Sequence, residues 1–266
     1  MRYLLLIIAF IVAIAIKILS TSSFLEKPAL AITSLPIISN SWKITQTYIP
    51  PDRGAPESTT TGGTRGGQCL LSQAKIIPLL IPGNSFGVTL SEYPTFFAYI
   101  PPSQEAQEGE FFLAEWFSRE NQQDIYNEHF QLPDNAGGII GLKIPAEKSP
   151  PLQLGKKYIW GVRIFCDPEK IEQDGDPLSK GFIELIQPNL SLLERLKNAR
   201  PLTLPTIYAA QGIWYDALAS LMELRSLNPQ NSQLINDWQE LLNSAKSEGR
   251  ETFMEAPLLE CCQLKD

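Results

Sequence analysis

Carboxylates are the side chains through which this chain could most simply do chemistry. Two acidic residues can hydrolyse a glycosidic bond without any motif that is local in sequence. Glu110, Glu115 and Asp167 are candidates for such a pair. Carboxylates scattered over strands and loops are usually just solvated, however. We therefore predict that the protein is not an enzyme and has no catalytic residues, with a polymer hydrolase as the alternative.

His129 is the single histidine of the chain and falls within a predicted strand over residues 124–132. There it shares one face with Ile125, Asn127 and Gln131, because side chains alternate between the two faces of a strand. A catalytic histidine needs a positioned nucleophile and a carboxylate beside it in the fold. We interpret His129 as an ordinary surface residue.

The four cysteines could form disulfides or bind a metal. No C-x-x-C pair occurs and there is one histidine, so the ligand pattern of zinc sites is missing. We predict no metal and no cofactor. In an oxidising compartment four cysteines allow three connectivities. We prefer a bridge between Cys69 and Cys166, which would join the start of a domain to the end of its central strand. Cys261 and Cys262 then lie on a tail, and their pairing stays open.

Two loops have compositions that suggest ion binding. The glycines of residues 61–67 could cradle a phosphate, but no G-K-[ST] follows, so the segment is interpreted as a turn-rich connector. Residues 167–176 carry several carboxylates, which are the hard oxygen ligands that calcium prefers. The EF-hand spacing is missing there, and acidic loops are usually solvated. We predict no ion site in either loop.

Residues 152–166 contain the strand around which the fold can be built. Leu152, Gly155 and Tyr158 have the spacing of a tyrosine corner, in which a tyrosine that opens a late strand hydrogen-bonds back to the preceding backbone. Apolar residues then alternate with others, and Trp160 falls on the same face as Tyr158. A strand so rich in aromatic residues belongs near a core. We predict that these four residues are structural core.

Short strand-like segments separated by turn signals run from residue 76 to residue 186. They cover residues 76–81, 87–90, 95–100, 110–117, 124–132, 138–144, 156–166 and 180–186. No helical period interrupts them, which favours two antiparallel sheets over parallel β-α-β units. We predict an all-β antiparallel sandwich of the immunoglobulin/fibronectin-III type over residues 68–187.

The hydrophobic period changes from two to about 3.6 after residue 186, which predicts a small helical region over residues 188–247. Asn189 can cap its first helix, and residues 232–245 predict another. Five residues between them have the tetratricopeptide spacing: Tyr208, Gly212, Ala217, Leu221 and Pro229. One repeat is visible, whereas stacked arrays need about three. We expect the helices to pack against the sandwich and not to form a peptide-binding groove.

Residues 1–31 have the features of an export signal. Arg2 precedes an apolar run over residues 4–16, and Ala29-Leu30-Ala31 offers an A-x-A cleavage site. The run is too short to span a bilayer comfortably. We predict a cleaved signal peptide and no stable membrane insertion afterwards, and a retained anchor is the alternative. The proline-, threonine- and glycine-rich residues 32–67 predict a flexible linker, and residues 248–266 a tail.

The charge balance bears on the class of partner. The formal net charge of the full chain is −7. Removing residues 1–31 leaves 19 basic and 28 acidic residues, hence a charge of −9. An acidic protein disfavours nucleic acid and anionic membrane surfaces as partners.

Several motifs in combination resemble a family of exported cyanobacterial proteins catalogued as domain of unknown function 928. They are GGTRGGQC at residues 62–69, LSEYPTFFAYIP at 90–101, LGKKYIW at 154–160, GIWYDAL at 212–218 and the pair Cys261-Cys262. The likeness covers roughly residues 53–262. It implies a source with an outer membrane and a location in the periplasm or cell envelope, and it brings no catalytic residues.

Together these features favour a non-enzymatic, exported protein of the cell envelope. Its partner would be an unknown envelope protein or glycan, or its role would be in assembly. The alternative function is hydrolysis of an envelope polymer by paired carboxylates. Fold class alone does not decide between them.

Overall fold

Seven strands in two sheets form the first part of the computed structural model, which describes residues 48–51, 79–102, 108–132, 137–166, 176–247 and 249–259. The strands are β1 Phe86–Thr89, β2 Thr95–Ile100, β3 Glu108–Trp116, β4 Gln122–Gln131, β5 Gly138–Lys143, β6 Lys157–Phe165 and β7 Leu178–Leu185. The larger sheet has the order β1-β7-β6-β3-β4, and β2 pairs with β5 in the smaller one.

The predicted strands are confirmed to within two residues at every described end. For example, β2 coincides with the predicted segment 95–100, and β4 begins two residues before the predicted 124–132. Of the predicted strand 76–81, only residues 79–81 are described, and Leu79 there forms an isolated antiparallel bridge with Ala98 of β2. Alternation of apolar residues was therefore a sound guide to this half of the chain.

The prediction of wholly antiparallel sheets is wrong at one edge. β1 runs parallel to β7, with Phe86 opposite Phe182 and Thr89 opposite Leu185. The pairs β2–β5, β3–β4, β3–β6 and β6–β7 are antiparallel. Alternation along a four-residue strand shows which face is buried, but it carries no information about the direction of the partner strand. The architecture is thus a sandwich-like pair of sheets, one of which is mixed.

Aromatic side chains fill the space between the two sheets. Phe96 of β2 packs against Trp160 of β6 and Phe111 of β3, with ring centroids 4.7 and 5.1 Å apart. All three side chains are fully buried. Large rings of this kind dominate the energetics of a core. The predicted central strand therefore lies at the centre of the structure, packed against the smaller sheet.

Tyr158 closes the turn that precedes β6. Its hydroxyl accepts a hydrogen bond from the backbone N–H of Gln153 at 2.9 Å. Gly155 lies between them with φ of +74°, in the left-handed region that favours glycine. Leu152, at the start of the turn, is buried. This backward hydrogen bond has the geometry of a tyrosine corner.

The C-terminal region is helical. Its helices are α1 Leu190–Lys197, α2 Leu204–Ala210, α3 Trp214–Leu227, α4 Ser232–Ala245 and α5 Arg250–Phe253, and a 3-10 turn over Pro201–Thr203 precedes α2. Asn189 caps α1 as predicted, because its side chain accepts a hydrogen bond from the Leu192 N–H at 2.8 Å. α4 coincides with the predicted helix 232–245.

Helix α3 fastens the helical region to the sheets through its first two residues. The indole N–H of Trp160 donates to the Tyr215 hydroxyl at 2.7 Å, and that hydroxyl donates to the carbonyl oxygen of Phe182 at 3.1 Å. The Trp214 indole donates to the carbonyl oxygen of Leu80 at 2.9 Å. These groups are buried, so each hydrogen bond satisfies a polar atom inside the core. The prediction that the helices pack against the sandwich is confirmed.

A smaller cluster on the other face of the larger sheet is covered by α1. Leu192 of α1 packs with Phe86, Ile159 and Phe182 of the sheet, and all four are buried. Part of the larger sheet is therefore buried on both faces. This burial explains why its central strands carry apolar residues at successive positions.

One residue in the predicted flexible linker, 32–67, is anchored in the core. Tyr48 is buried, its ring centroid lies 5.1 Å from that of Trp214, and its N–H donates to the Ser244 hydroxyl at 3.1 Å. The prediction of a flexible linker is wrong at this point. An average composition hides a single aromatic residue that has a pocket to fill.

The predicted tail, 248–266, also contains packed residues. Phe253 of α5 is fully buried. Further on, Leu258 forms a parallel bridge with Ile139 of β5, and the Leu259 N–H donates to the carbonyl oxygen of Ile139 at 2.9 Å. The chain after α5 thus extends the smaller sheet along the edge of β5. The prediction of a tail is wrong over these residues.

Several predictions lie outside the described residues and stay predictions. They concern the export segment 1–31, the glycine-rich loop 61–67, Cys69, Asp167 with most of the acidic loop, and Cys261-Cys262. Among the described helices, none has the length and apolar character needed to cross a membrane.

Candidate functional site

A cleft of about 730 Å³ lies between α3 and the smaller sheet. It is lined by the segment from Thr89 to Thr95, by residues of β2, β5, α2 and α3, and by Leu258 and Leu259. Its volume falls within the range of small-molecule and cofactor sites. The cleft lies where the two parts of the predicted architecture meet, so neither part alone contains it.

One stripe of α3 forms the first wall. Asp216, Ser220, Glu223 and Ser226 recur every three or four residues, which places them on one face of the helix. Ala219 lies in the same stripe, and its small side chain leaves the middle of the cleft open. The stripe that faces the core instead carries the buried residues Ala217, Leu218, Leu221 and Leu224. The polar stripe therefore lies on the less buried side of the helix.

The outer face of the β2–β5 sheet forms the second wall. In the β2–β5 ladder Phe97 is opposite Gly141, and Thr95 is opposite Lys143. Their neighbours in sequence point into the core, because side chains alternate along a strand. A Cβ at Gly141 would lie 3.1 Å from the Phe97 ring. The glycine therefore lets that ring lie close over the sheet.

Asp216 is the best-positioned polar group of the cleft. Its Oδ2 accepts hydrogen bonds from the Thr89 hydroxyl at 2.8 Å and from the Leu90 N–H at 3.1 Å. Burial raises the pKa of Asp216, and these two hydrogen bonds oppose that rise. Burial and the nearby charge of Asp216 also raise the pKa of Tyr208 on α2. The carboxylate is thus held rigidly by the end of β1, which suits recognition of a ligand.

The serine hydroxyls of the α3 wall donate hydrogen bonds to backbone carbonyl oxygens of the same helix. Ser220 donates to the carbonyl oxygen of Asp216 at 2.7 Å, and Ser226 donates to that of Glu223 at 2.8 Å. A hydroxyl whose proton is engaged still offers lone pairs. With the two carboxylates, the α3 wall therefore presents mainly hydrogen-bond acceptors.

Two of the three candidate carboxylates, Glu110 and Glu115, do not pair with each other, and the third, Asp167, lies outside the described residues. Glu110 lies opposite Arg163 in the β3–β6 ladder and Glu115 lies opposite Tyr158. Five positions along one strand place two side chains on opposite faces and about 17 Å apart. Glu115 pairs with Lys156 at 2.9 Å, and Glu110 pairs with Arg163 at 3.3 Å. These carboxylates are engaged by cations on separate faces, so they do not share a substrate.

His129 lies on the exposed side of β4, as the alternation predicted. Its side chain is 36% exposed, and Nδ1 lies 3.1 Å from Oε1 of Glu108. The imidazole ring also packs on Phe165, with 5.1 Å between ring centroids. The neighbours Tyr126 and Phe130 are buried on the opposite face. The surroundings of His129 are those of a paired residue on a sheet surface.

A nucleophile-type motif occurs at residues 83–87, which read G-N-S-F-G and match G-x-S-x-G. Ser85 has φ of +57°, a strained conformation for a residue other than glycine. In a nucleophile elbow the serine follows a strand and precedes a helix. Ser85 instead ends a turn and leads into β1. The single histidine lies on β4, four strands away and hence about 19 Å across the sheet, so no triad forms around Ser85.

Cys166 follows β6 and is disulfide-bonded. The other three cysteines lie outside the described residues, so the pairing with Cys69 stays a prediction. The Cys166 N–H donates to Oδ1 of Asp176 at 3.2 Å. Asp176 is buried and is the one residue of the predicted acidic loop that the structure describes.

The residues with tetratricopeptide spacing have separate roles. Gly212 forms the turn between α2 and α3 with φ of +70°, and Ala217 and Leu221 are buried in the core. Pro229 lies in the exposed turn before α4. Tyr208 lines the cleft. The motif thus marked one cleft residue, but no local pattern indicated that Asp216 would meet Thr89, which is 127 residues away.

Comparison with known proteins places the chain in a family. No curated protein matches it. The model of the family described as Domain of Unknown Function (DUF928) matches residues 60–258, which is most of the chain and includes both walls of the cleft. This chain therefore belongs to the DUF928 family.

Proposed function

We propose that this protein is an exported, non-enzymatic binding protein of the cell envelope, and that the cleft between α3 and the smaller sheet is its ligand-binding surface. The observation that carries the proposal is the position of Asp216. Two hydrogen bonds from the end of β1 hold its carboxylate in a cleft of about 730 Å³ that also contains aromatic rings. A few fixed polar groups on a partly apolar surface are typical of ligand sites.

We also propose that the sheets form an immunoglobulin/fibronectin-III-type sandwich and that the helices include a tetratricopeptide-like unit. An immunoglobulin/fibronectin-III-type sandwich is supported by the strand order β7-β6-β3-β4 in one sheet and β2-β5 in the other. The backward hydrogen bond to Tyr158 supports it further. A tetratricopeptide-like unit is supported by the α2–α3 hairpin around Gly212. In folds of both kinds, binding is a common role.

The cellular location rests on sequence features. The apolar run over residues 4–16 and the A-x-A site at residues 29–31 support export by a cleaved signal peptide. The resemblance of the motifs supports a cyanobacterial source and a periplasmic or envelope location. N-terminal mass spectrometry of the exported protein should find Ile32 as the first residue. Recovery of an intact Met1 in the membrane fraction would replace cleavage with anchoring.

Hydrolysis of an envelope polymer is the second candidate function, now with different residues. The raised pKa of Asp216 is what a general acid needs. The other carboxylate of the described lining is Glu223, seven residues along α3 and so about 10 Å away along the helix axis. Paired glycosidase carboxylates lie roughly 5–9.5 Å apart. Both carboxylates lie on one face of α3 and so on one side of the cleft, whereas the carboxylates of a glycosidase flank the scissile bond. This arrangement favours binding over hydrolysis, and an assay for new reducing ends should find none.

Site-specific photocrosslinking in cells tests the binding proposal. A photoreactive amino acid at Glu223, which is exposed in the cleft wall, should capture a reproducible envelope component. The same amino acid at Glu194, exposed on α1 outside the cleft, is the matched control. Equal capture at the two positions, or no capture at Glu223, would contradict the proposal.

A further inference from the structure

We infer that the ligand of this cleft is a polysaccharide segment whose hydroxyls bind the acceptor-rich wall of α3 and whose rings pack on the aromatic side chains opposite. The inference rests on the proposed binding function, because it names the chemical class that the same cleft would take.

The hydrogen-bonding capacity of the α3 wall calls for a ligand rich in donors. Asp216 and Glu223 are acceptors when ionised. The hydroxyls of Ser220 and Ser226 donate to helix carbonyl oxygens, so their lone pairs remain for a ligand. A sugar unit carries several O–H donors on adjacent carbons. A peptide backbone carries as many acceptors as donors, so half of its groups would find no partner on this wall.

Aromatic side chains line two sides of the cleft beside α3. The Phe97 ring lies over Gly141 on the sheet wall with 6% of the residue exposed, and the partly buried Tyr208 lines the cleft from α2. The face of an aromatic ring is electron-rich, and the C–H groups on one face of a sugar ring are weakly positive. Donors on one side and C–H groups on the other match the two walls of this cleft.

The length of the cleft suits a chain and not a single small molecule. The α3 wall runs from Tyr215 to Ser226, which is about 16 Å at 1.5 Å per residue. Several linked sugar rings fit along such a wall. Asp216 would fix one unit, and Glu223 would contact another about two turns further along.

Two observations argue against a peptide. An extended peptide usually adds a strand to a free sheet edge, but β2 is bridged by Leu79 on one side, and β5 is bridged by Leu258 on the other. A basic peptide could pair with the carboxylates of α3, but Lys143 faces them from the sheet wall. A polyhydroxyl ligand satisfies Lys143 as well, because sugar oxygens also accept hydrogen bonds.

Isothermal titration of the mature chain with two probe pools tests the inference. One pool is the size-fractionated polysaccharide of the source's own envelope, supplemented with cello- and chito-oligosaccharides, and the other is the tryptic peptides of the envelope proteins. We expect binding of a carbohydrate fraction that strengthens with oligosaccharide length. Glu223→Gln should weaken it about tenfold or more, since hydrogen bonds to charged groups are strong. Glu194→Gln should leave it unchanged.

Phe97→Leu provides a second variant that keeps an apolar residue on the sheet, and it should also weaken carbohydrate binding. Binding of the peptide pool alone would overturn the inference and leave the proposed binding function standing. Carbohydrate binding that is equally strong in the wild type and in both cleft variants would also overturn the inference. Failure of the photocrosslinking experiment would instead remove the binding function itself, so the two failures are distinguishable.

Discussion

The indole N–H of Trp160 donates a hydrogen bond to the hydroxyl of Tyr215 at 2.7 Å inside the core. Trp160 lies in the central strand of the larger sheet, and Tyr215 lies in the first turn of α3. Asp216 is the next residue of that turn, so this buried contact also fixes the carboxylate that faces the cleft. Core packing and the candidate site therefore depend on the same helix end.

Truncation of Trp160 should be strongly destabilising. Trp160→Ala should lower the free energy of unfolding by about 3–5 kcal/mol, because it removes a fully buried ring and its hydrogen bond. Tyr215→Phe keeps the ring and should cost about 1–3 kcal/mol, since it leaves the Trp160 N–H unsatisfied. Denaturant melts measure both. Phe117→Ala, at a side chain that is 54% exposed, is the control and should change stability by less than about 0.5 kcal/mol. A loss below about 1 kcal/mol for Trp160→Ala would contradict the core assignment.

Alanine substitutions at two glycines with the same backbone conformation distinguish the stability cost of backbone strain from that of lost packing. Gly155 and Gly212 have φ of +74° and +70°. A Cβ at Gly155 would meet nothing within 4 Å, whereas at Gly212 it would clash with the carbonyl oxygen of Ile49. Gly155→Ala should therefore cost only the left-handed strain of about 1–2 kcal/mol. Gly212→Ala should cost clearly more, because the segment that contains Tyr48 must also move.

The comparison of the two melting curves measures this difference. Equal losses for the two alanine variants would show that residues 48–51 do not pack on the turn between α2 and α3. A larger loss at Gly212 that disappears when Tyr48 is also replaced by alanine would support the packing.

Sequence reasoning worked where one element carried its own signal. The alternation from Tyr158 to Ile164 predicted β6, the apolar period from Leu234 to Leu242 predicted α4, and Asn189 predicted a cap. In each case neighbours within a few residues determine the local structure. The tyrosine spacing also predicted a turn whose hydrogen bond spans only five residues.

Sequence reasoning failed where the contact that determines the structure joins residues that are distant in sequence. The parallel pairing of Phe86 with Phe182 and the hydrogen bond from Thr89 to Asp216 join segments about a hundred residues apart. Tyr48 is anchored by Trp214, which composition could not show. The walls of the cleft come from β2, β5 and α3, and no local pattern relates these three elements. The candidate site could therefore not have been assembled before the fold was known.

The raised pKa of Asp216 gives a dependence of stability on pH. Burial raises this pKa above the ordinary value of 3.8. A carboxyl that binds its proton more tightly in the folded state contributes stability below pH 3.8, and this contribution is lost as the pH rises through the folded-state pKa. The free energy of unfolding of the wild type should therefore fall relative to that of Asp216→Asn as the pH rises from about 3.8. Urea melts over a pH series measure the difference, and a difference that is constant or of opposite slope would contradict the assignment.

The disulfide partner of Cys166 should be Cys69. The bridge would close a loop of about a hundred residues, for which the chain-entropy account gives roughly 4–5 kcal/mol before strain. Non-reducing peptide mapping should recover a Cys69–Cys166 crosslinked peptide from the exported protein. A peptide that joins Cys166 to Cys261 or Cys262 would contradict this pairing.

Obstruction of the cleft is the most direct test of the central claim, which is that the surface between α3 and the smaller sheet binds an envelope ligand. Ala219→Trp places a large ring in the middle of the cleft. Leu227→Trp places the same ring on the same helix, at a side chain that is 71% exposed and outside the cleft. Both variants should keep the wild-type circular dichroism spectrum. In a titration of each purified variant with the envelope fraction that the wild type binds, Ala219→Trp should lose binding and Leu227→Trp should retain it. Equal binding by the two variants would contradict the claim.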